Sequence, residues 1–141
     1  MPTPTSTGDA AAVRQRQAAR ARYMKDTVDT LSPARLVTML YDALVADLER
    51  AEDAIGASDR FEANRSLVKA QAILIELRSS LKPDLWSAGP RLAALYDFLI
   101  REVVQANVAK DAARVANCRK LIEPLRDAWH VAAREVLNQE Q

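Results

Sequence analysis

Glycine occurs three times in 141 residues, cysteine and histidine once each, and aromatic residues make up only 5% of the chain. So little glycine leaves few sites for tight left-handed turns, which disfavours a fold of short strands joined by hairpins. A lone cysteine, Cys118, cannot form an internal disulfide. A single histidine rules out a di-iron bundle, which needs paired Glu-x-x-His motifs. There is no glycine-rich loop to cradle phosphate, and no Ser-His-Asp set can be assembled. The chain is accordingly not read as an enzyme, and no metal or cofactor is expected. The formal net charge of +1 provides no global field to attract nucleic acid or an anionic membrane. No signal peptide and no apolar run long enough to span a bilayer stand out, so a reducing cytoplasm is the expected compartment.

What is present favours helix. Alanine, leucine, arginine and glutamate dominate, no period-two run of strand type occurs, and Gly8, Gly56 and Gly89 fall in the tail or between helical stretches. The expected fold is all-α, with an arm over residues 1–30 and a helical domain over 31–138. The arm begins polar and is expected to be disordered there. It then turns Arg-rich, as a transient helix bearing Arg14, Arg16, Arg20 and Arg22, with Tyr23 among its larger apolar groups.

The first domain helix starts with Ser32 as N-cap, Pro33 at the first helical position and Leu31 placed to pack on Leu36. Val37, Leu40, Leu44, Leu48, Ala51 and Ile55 form one stripe at 3.6-residue periodicity, but Met39, Tyr41, Ala43 and Val45 fall outside it. In the second helix, capped by Asp59 with Glu62 three residues on, Ala63, Leu67, Ala70, Leu74 and Leu77 form the stripe. Phe61, Val68, Ala72 and Ile75 recur on the opposite face. The third helix, opened by Pro90 and ending near Ala109, repeats the pattern with Ile100, Val104 and Val108 behind its seam. By contrast the fourth, from about Asp111, reads as one-faced through Val115, Cys118, Ile122, Leu125, Trp129, Ala132 and Val136, with Pro124 bending it and not breaking it. A surface helix needs only one apolar face, so the second faces are covered by the chain itself or offered to a partner.

Taken together, SPARLVTMLYDALVADLERA, KAQAILIELRSSL, LAALYDFLIREVVQANVAKD and IEPLRDAW resemble, in order and spacing, the flagellar secretion chaperone family FliS over about Tyr23 to Trp129. The loop DLWSAGP departs from the family's glycine-rich turn, and the tail is longer and more Arg-rich. The resemblance implies a cytoplasmic antiparallel four-helix bundle that binds the disordered C-terminal segment of flagellin, blocks premature polymerisation and hands the subunit to the export apparatus. It also implies a tyrosine-bearing N-terminal segment packed near the flagellin site, where Tyr23 stands; the arm from Tyr23 to Leu31 is the nearest cover for the apolar surface of the free chain and is expected to act as a displaceable lid. The candidate partner-binding surface is then Phe61, Val68, Ala72 and Ile75 with Ile100, Val104 and Val108, extended by Tyr41 and Val45. Pairing of two copies through the same faces stays open. Two other readings are a phosphotransfer bundle using His130 and a nucleic-acid adaptor using the basic arm.

Overall fold

The computed structural model describes residues 10–19 and 33–139 of the chain. Residues 10–19 form an exposed helix, α1. The expected Ser32 cap, the Leu31 staple and Tyr23 lie outside the described residues. The chain divides into two units, Met1–Leu36 and Val37–Gln141. Four long helices follow α1: α2 Pro33–Gly56, α3 Arg60–Ser80, α4 Gly89–Ala109 and α5 Ala112–Gln139, with a 3-10 turn at Pro83–Leu85 between α3 and α4. No strand occurs among the described residues.

The helix boundaries follow from local chemistry. The Asp59 carboxylate accepts from the Glu62 backbone N–H at 3.1 Å, which satisfies one of the orphan donors of α3. Asp111 does the same for Arg114 N–H at 3.2 Å at the head of α5. The intervening reversal is made by Lys110 in the left-handed region at φ 51°, while Asp111 N–H donates to the Ala106 carbonyl at 3.0 Å. Gly89 has a separate reason to be glycine: a Cβ there would lie 2.5 Å from the Pro83 carbonyl oxygen. The 3-10 turn therefore closes against the head of α4. α5 runs through Pro124 without a break, as the uninterrupted stripe predicts.

Within Val37–Gln141 the cross-helix pairs define an antiparallel bundle. Arg119 of α5 bonds Glu52 of α2 and His130 bonds Asp42, so α5 runs antiparallel to α2. Arg78–Asp97 and Asn64–Asn107 set α3 antiparallel to α4, and Arg114–Glu102 sets α4 antiparallel to α5. The core between them is aliphatic, with Leu44, Leu48, Leu67, Leu74, Leu99 and Ile122 all but fully enclosed. Tyr41 and Tyr96 bring their hydroxyls together inside it as a buried hydrogen bond.

One charged group is also enclosed. Asp47 is only 5% exposed, and burial pushes its carboxyl above the usual range, opposed by Arg50, Lys69 and Arg65. A raised folded-state pKa means that the native state holds this proton more firmly than the unfolded chain. The contribution is intact below the ordinary carboxylate pKa of about 4 and is lost as pH rises through the folded value. Asp47→Asn is therefore expected to raise the urea midpoint at pH 7, with the gain closing as pH falls below about 4. A gain that persists unchanged at low pH would assign it to packing instead.

Candidate partner-binding surface

α3 uses one side for the core and leaves the other bare. Ala63, Leu67, Ala70 and Leu74 are buried, whereas Phe61 is 80%, Val68 50% and Ile75 45% exposed. The three exposed residues are spaced seven apart, two helical turns each, so they form a straight ridge along the helix. Ala72 lies on the same face and is exposed as well. α4 runs beside it with Val108 75% exposed and Ile100 and Val104 half-buried, Ile100 packing partly on the core.

Polar side chains tie the seam between the two helices. Asn107 Nδ2 donates to Asn64 Oδ1 at 2.9 Å near one end, and Arg78 Nε donates to Asp97 Oδ1 at 3.0 Å near the other. The seam is held closed while its outer flank stays apolar. Such a surface can bury a second apolar ridge without first separating α3 from α4.

Tyr41 and Val45 do not belong to it. Tyr41 is 0% and Val45 2% exposed, so their expected place at the edge of a partner surface is corrected: both are core. The cause is α5, which packs antiparallel over that side of α2. Two polar clasps flank the buried pair, Asp42–His130 at 2.7 Å and a forked Glu52–Arg119 contact at 2.6 and 3.1 Å. Glu123 bonds the same guanidinium at 2.7 Å, and the two carboxylates raise its pKa further. Trp129 adds a ring 6.3 Å from that of Tyr41.

The one-faced reading of α5 also needs correction. Val115, Cys118 and Ile122 are buried as expected, but Val136 is exposed, and Leu121 and Val131 are exposed off the stripe. The register set by Arg114–Glu102 places the start of α4 opposite the Arg126–Trp129 stretch. Beyond it α5 has no α4 backbone beside it, so the stripe outruns its partner. Cys118 sits in the core, and burial, with Glu102 nearby, pushes its thiol up to about 11, which keeps it protonated and unreactive.

His130 is half-exposed with Asp42 as its partner. No group of three or more metal-ligating side chains occurs among the described residues, and no described helix is long and apolar enough to cross a membrane. A partly exposed pair of this kind contributes roughly 0.2–1 kcal/mol. His130→Ala is expected to lower the unfolding free energy, measured by urea titration, by no more than that and to leave partner binding intact; a large loss of function in a folded variant would revive the phosphotransfer reading.

Comparison with known proteins bears on the family and the fold. A family model described as Flagellar protein FliS matches residues 15–136. Flagellar secretion chaperone FliS of Bacillus subtilis (strain 168) is 33% identical over 110 residues, covering 78% of this chain and 82% of its own length. The protein of the same description from Escherichia coli (strain K12) is 30% identical over 111 residues, covering 75% and 79%. A solved structure described as a flagellar chaperone from bacteria superposes with a TM-score of 0.67 at 20% identity, covering 85% of this chain and 98% of that one, a likeness of fold.

Proposed function

Because the chain belongs to the flagellar secretion chaperone family FliS, we propose that it binds the disordered C-terminal segment of flagellin in the cytoplasm. Bound there, the segment is kept from polymerising early and is passed to the export apparatus during flagellum assembly. The observation that carries this reading is the apolar ridge of Phe61, Val68 and Ile75 beside Val108, exposed along a seam that polar side chains already hold shut.

The physics is that of a helix laid on a groove and folded as it binds. An amphipathic polymerisation segment has an apolar side that filament neighbours would otherwise cover. The α3/α4 flank substitutes for those neighbours and withdraws that side from other flagellin copies. Ordering a disordered segment costs about 2–5 kcal/mol, so contacts must extend along several turns. A ridge spaced over two-turn intervals meets that need better than a single pocket.

Calorimetric titration of the full chain with a flagellin C-terminal fragment tests the reading. Saturable binding with a negative heat-capacity change and a gain of helical circular dichroism is expected. No binding, or binding without added helix, would overturn it.

A further inference from the structure

The opposite side of α4 carries a second apolar feature that the α3/α4 flank does not use. A trough of about 400 Å³ opens between the first half of α4, the second half of α5 and the turn that precedes α4. Trp86 and Trp129 stand over it with ring centroids 6.2 Å apart, edge to face. Leu95 and Leu125 line its length, and Ala88, Ala128 and Ala132 supply small side chains along it. Further along the same seam Phe98 and Leu121 are exposed, so the apolar strip continues past the trough. Between Leu121 and Ala132 this strip follows α5 for about 16 Å, three helical turns.

One charged residue lines the trough. Arg91 is exposed and has no ion-pair partner among the described residues, whereas Arg114 and Arg119 on α5 are both paired with carboxylates. A cation left unpaired at the rim of an apolar trough gives that site a sign.

We propose that the trough docks an amphipathic helix of a second protein, about three turns long, with a large aliphatic side chain seated by Trp86 and Trp129 and a carboxylate over Arg91. The elongated strip favours a helix over a compact small molecule. Its alanines let the incoming backbone approach closely, as small residues do wherever helices pack tightly. The unpaired guanidinium selects an acidic end by complementary charge, which adds specificity and encounter rate more than raw affinity. Since α4 separates the trough from the α3/α4 flank, the two surfaces can be filled together. The chain would then hold its cargo on one side and a distinct acidic helix on the other.

Both tryptophans of the chain stand at this trough, so their emission reports its occupancy locally. The probe is a synthetic helical peptide of about four turns, with leucines along one face and glutamates in one terminal turn. A twin peptide carries lysines in place of the glutamates. The glutamate peptide is expected to blue-shift the emission saturably and to bind about tenfold tighter than its twin. Arg91→Glu, at an exposed position, should invert that preference, and a saturating flagellin C-terminal fragment should leave it unchanged. An emission change with no charge preference, or none at all, overturns the proposal. So does displacement by the flagellin fragment, which would make the trough part of the cargo site. Self-association of the free chain that Arg91→Glu abolishes overturns it too, by assigning the trough to a second copy.

Discussion

Tyr41→Ala is expected to lower stability by about 3–5 kcal/mol, a large part of the roughly 5–15 kcal/mol that holds a domain of this size folded. Tyr41 is fully enclosed, so truncation removes an aromatic ring from a packed interior and leaves a cavity. It also leaves the Tyr96 hydroxyl without its partner. Burial raises the pKa of both phenols, so each stays protonated, with one hydroxyl donating and the other accepting. The Trp129 ring packs on that of Tyr41, so α2, α4 and α5 meet around this buried hydrogen bond. Tyr41→Phe keeps the ring and should cost about 1–3 kcal/mol, most of it from an orphaned buried hydroxyl. Removing both hydroxyls should then cost less than the two single changes added together, because no phenol remains unpaired. Urea unfolding of Tyr41→Ala, Tyr41→Phe, Tyr96→Phe and the double phenylalanine variant measures this. Tyr41→Ala within 1 kcal/mol of the parent chain, on the scale of an ordinary surface substitution, would mean that Tyr41 is not core.

That residue also marks where sequence reasoning reached its limit. Tyr41 and Val45 each follow a stripe residue, Leu40 and Leu44, and so lie about 100° around the helix from them. An offset of that size is within reach of a second neighbouring helix, because every helix of a four-helix bundle touches two others. Of the apparent surplus on α2, Tyr41 and Val45 form its interface with α5, whereas Met39 and Ala43 are exposed. Phe61, Val68 and Ile75 differ because they sit opposite the buried line of Ala63, Leu67 and Leu74, beyond the reach of any helix of the same bundle. The angle between stripes, not the number of apolar residues, separates a second interface from an exposed face.

Capping was legible for a related reason. Asp59 and Glu62 sit three apart, and the chemistry they perform is local. The overhang of α5 was not, since it depends on where α4 begins and so on the Pro83–Leu85 turn packed against Gly89. The Trp86–Trp129 trough was hidden likewise. Its alanines look neutral in a helical sequence, and its walls come from stretches far apart in the chain.

The second large effect falls on the exposed face. Val68 and Ile75 are each about half-exposed in the free chain, so an aspartate at either position stays solvated and the bundle is expected to remain folded. In a complex the same carboxylate would be carried into an apolar contact with no partner, which is costly. Each single change, Val68→Asp or Ile75→Asp, is expected to weaken binding of the flagellin fragment about tenfold, near 1.4 kcal/mol. The sites lie about 10 Å apart along α3 and share no partner, so the double variant should lose about a hundredfold. Val104→Asp, on a half-buried side chain, is the weaker probe because loss of binding there mixes with loss of packing. Calorimetry gives the affinities and circular dichroism confirms the fold. If the folded double variant binds as tightly as the parent chain, the α3/α4 flank is not the cargo surface, even though binding by the parent would keep the chaperone reading. If it unfolds, the ridge carries packing that its exposure conceals, and the division between core and cargo face must be redrawn along α3.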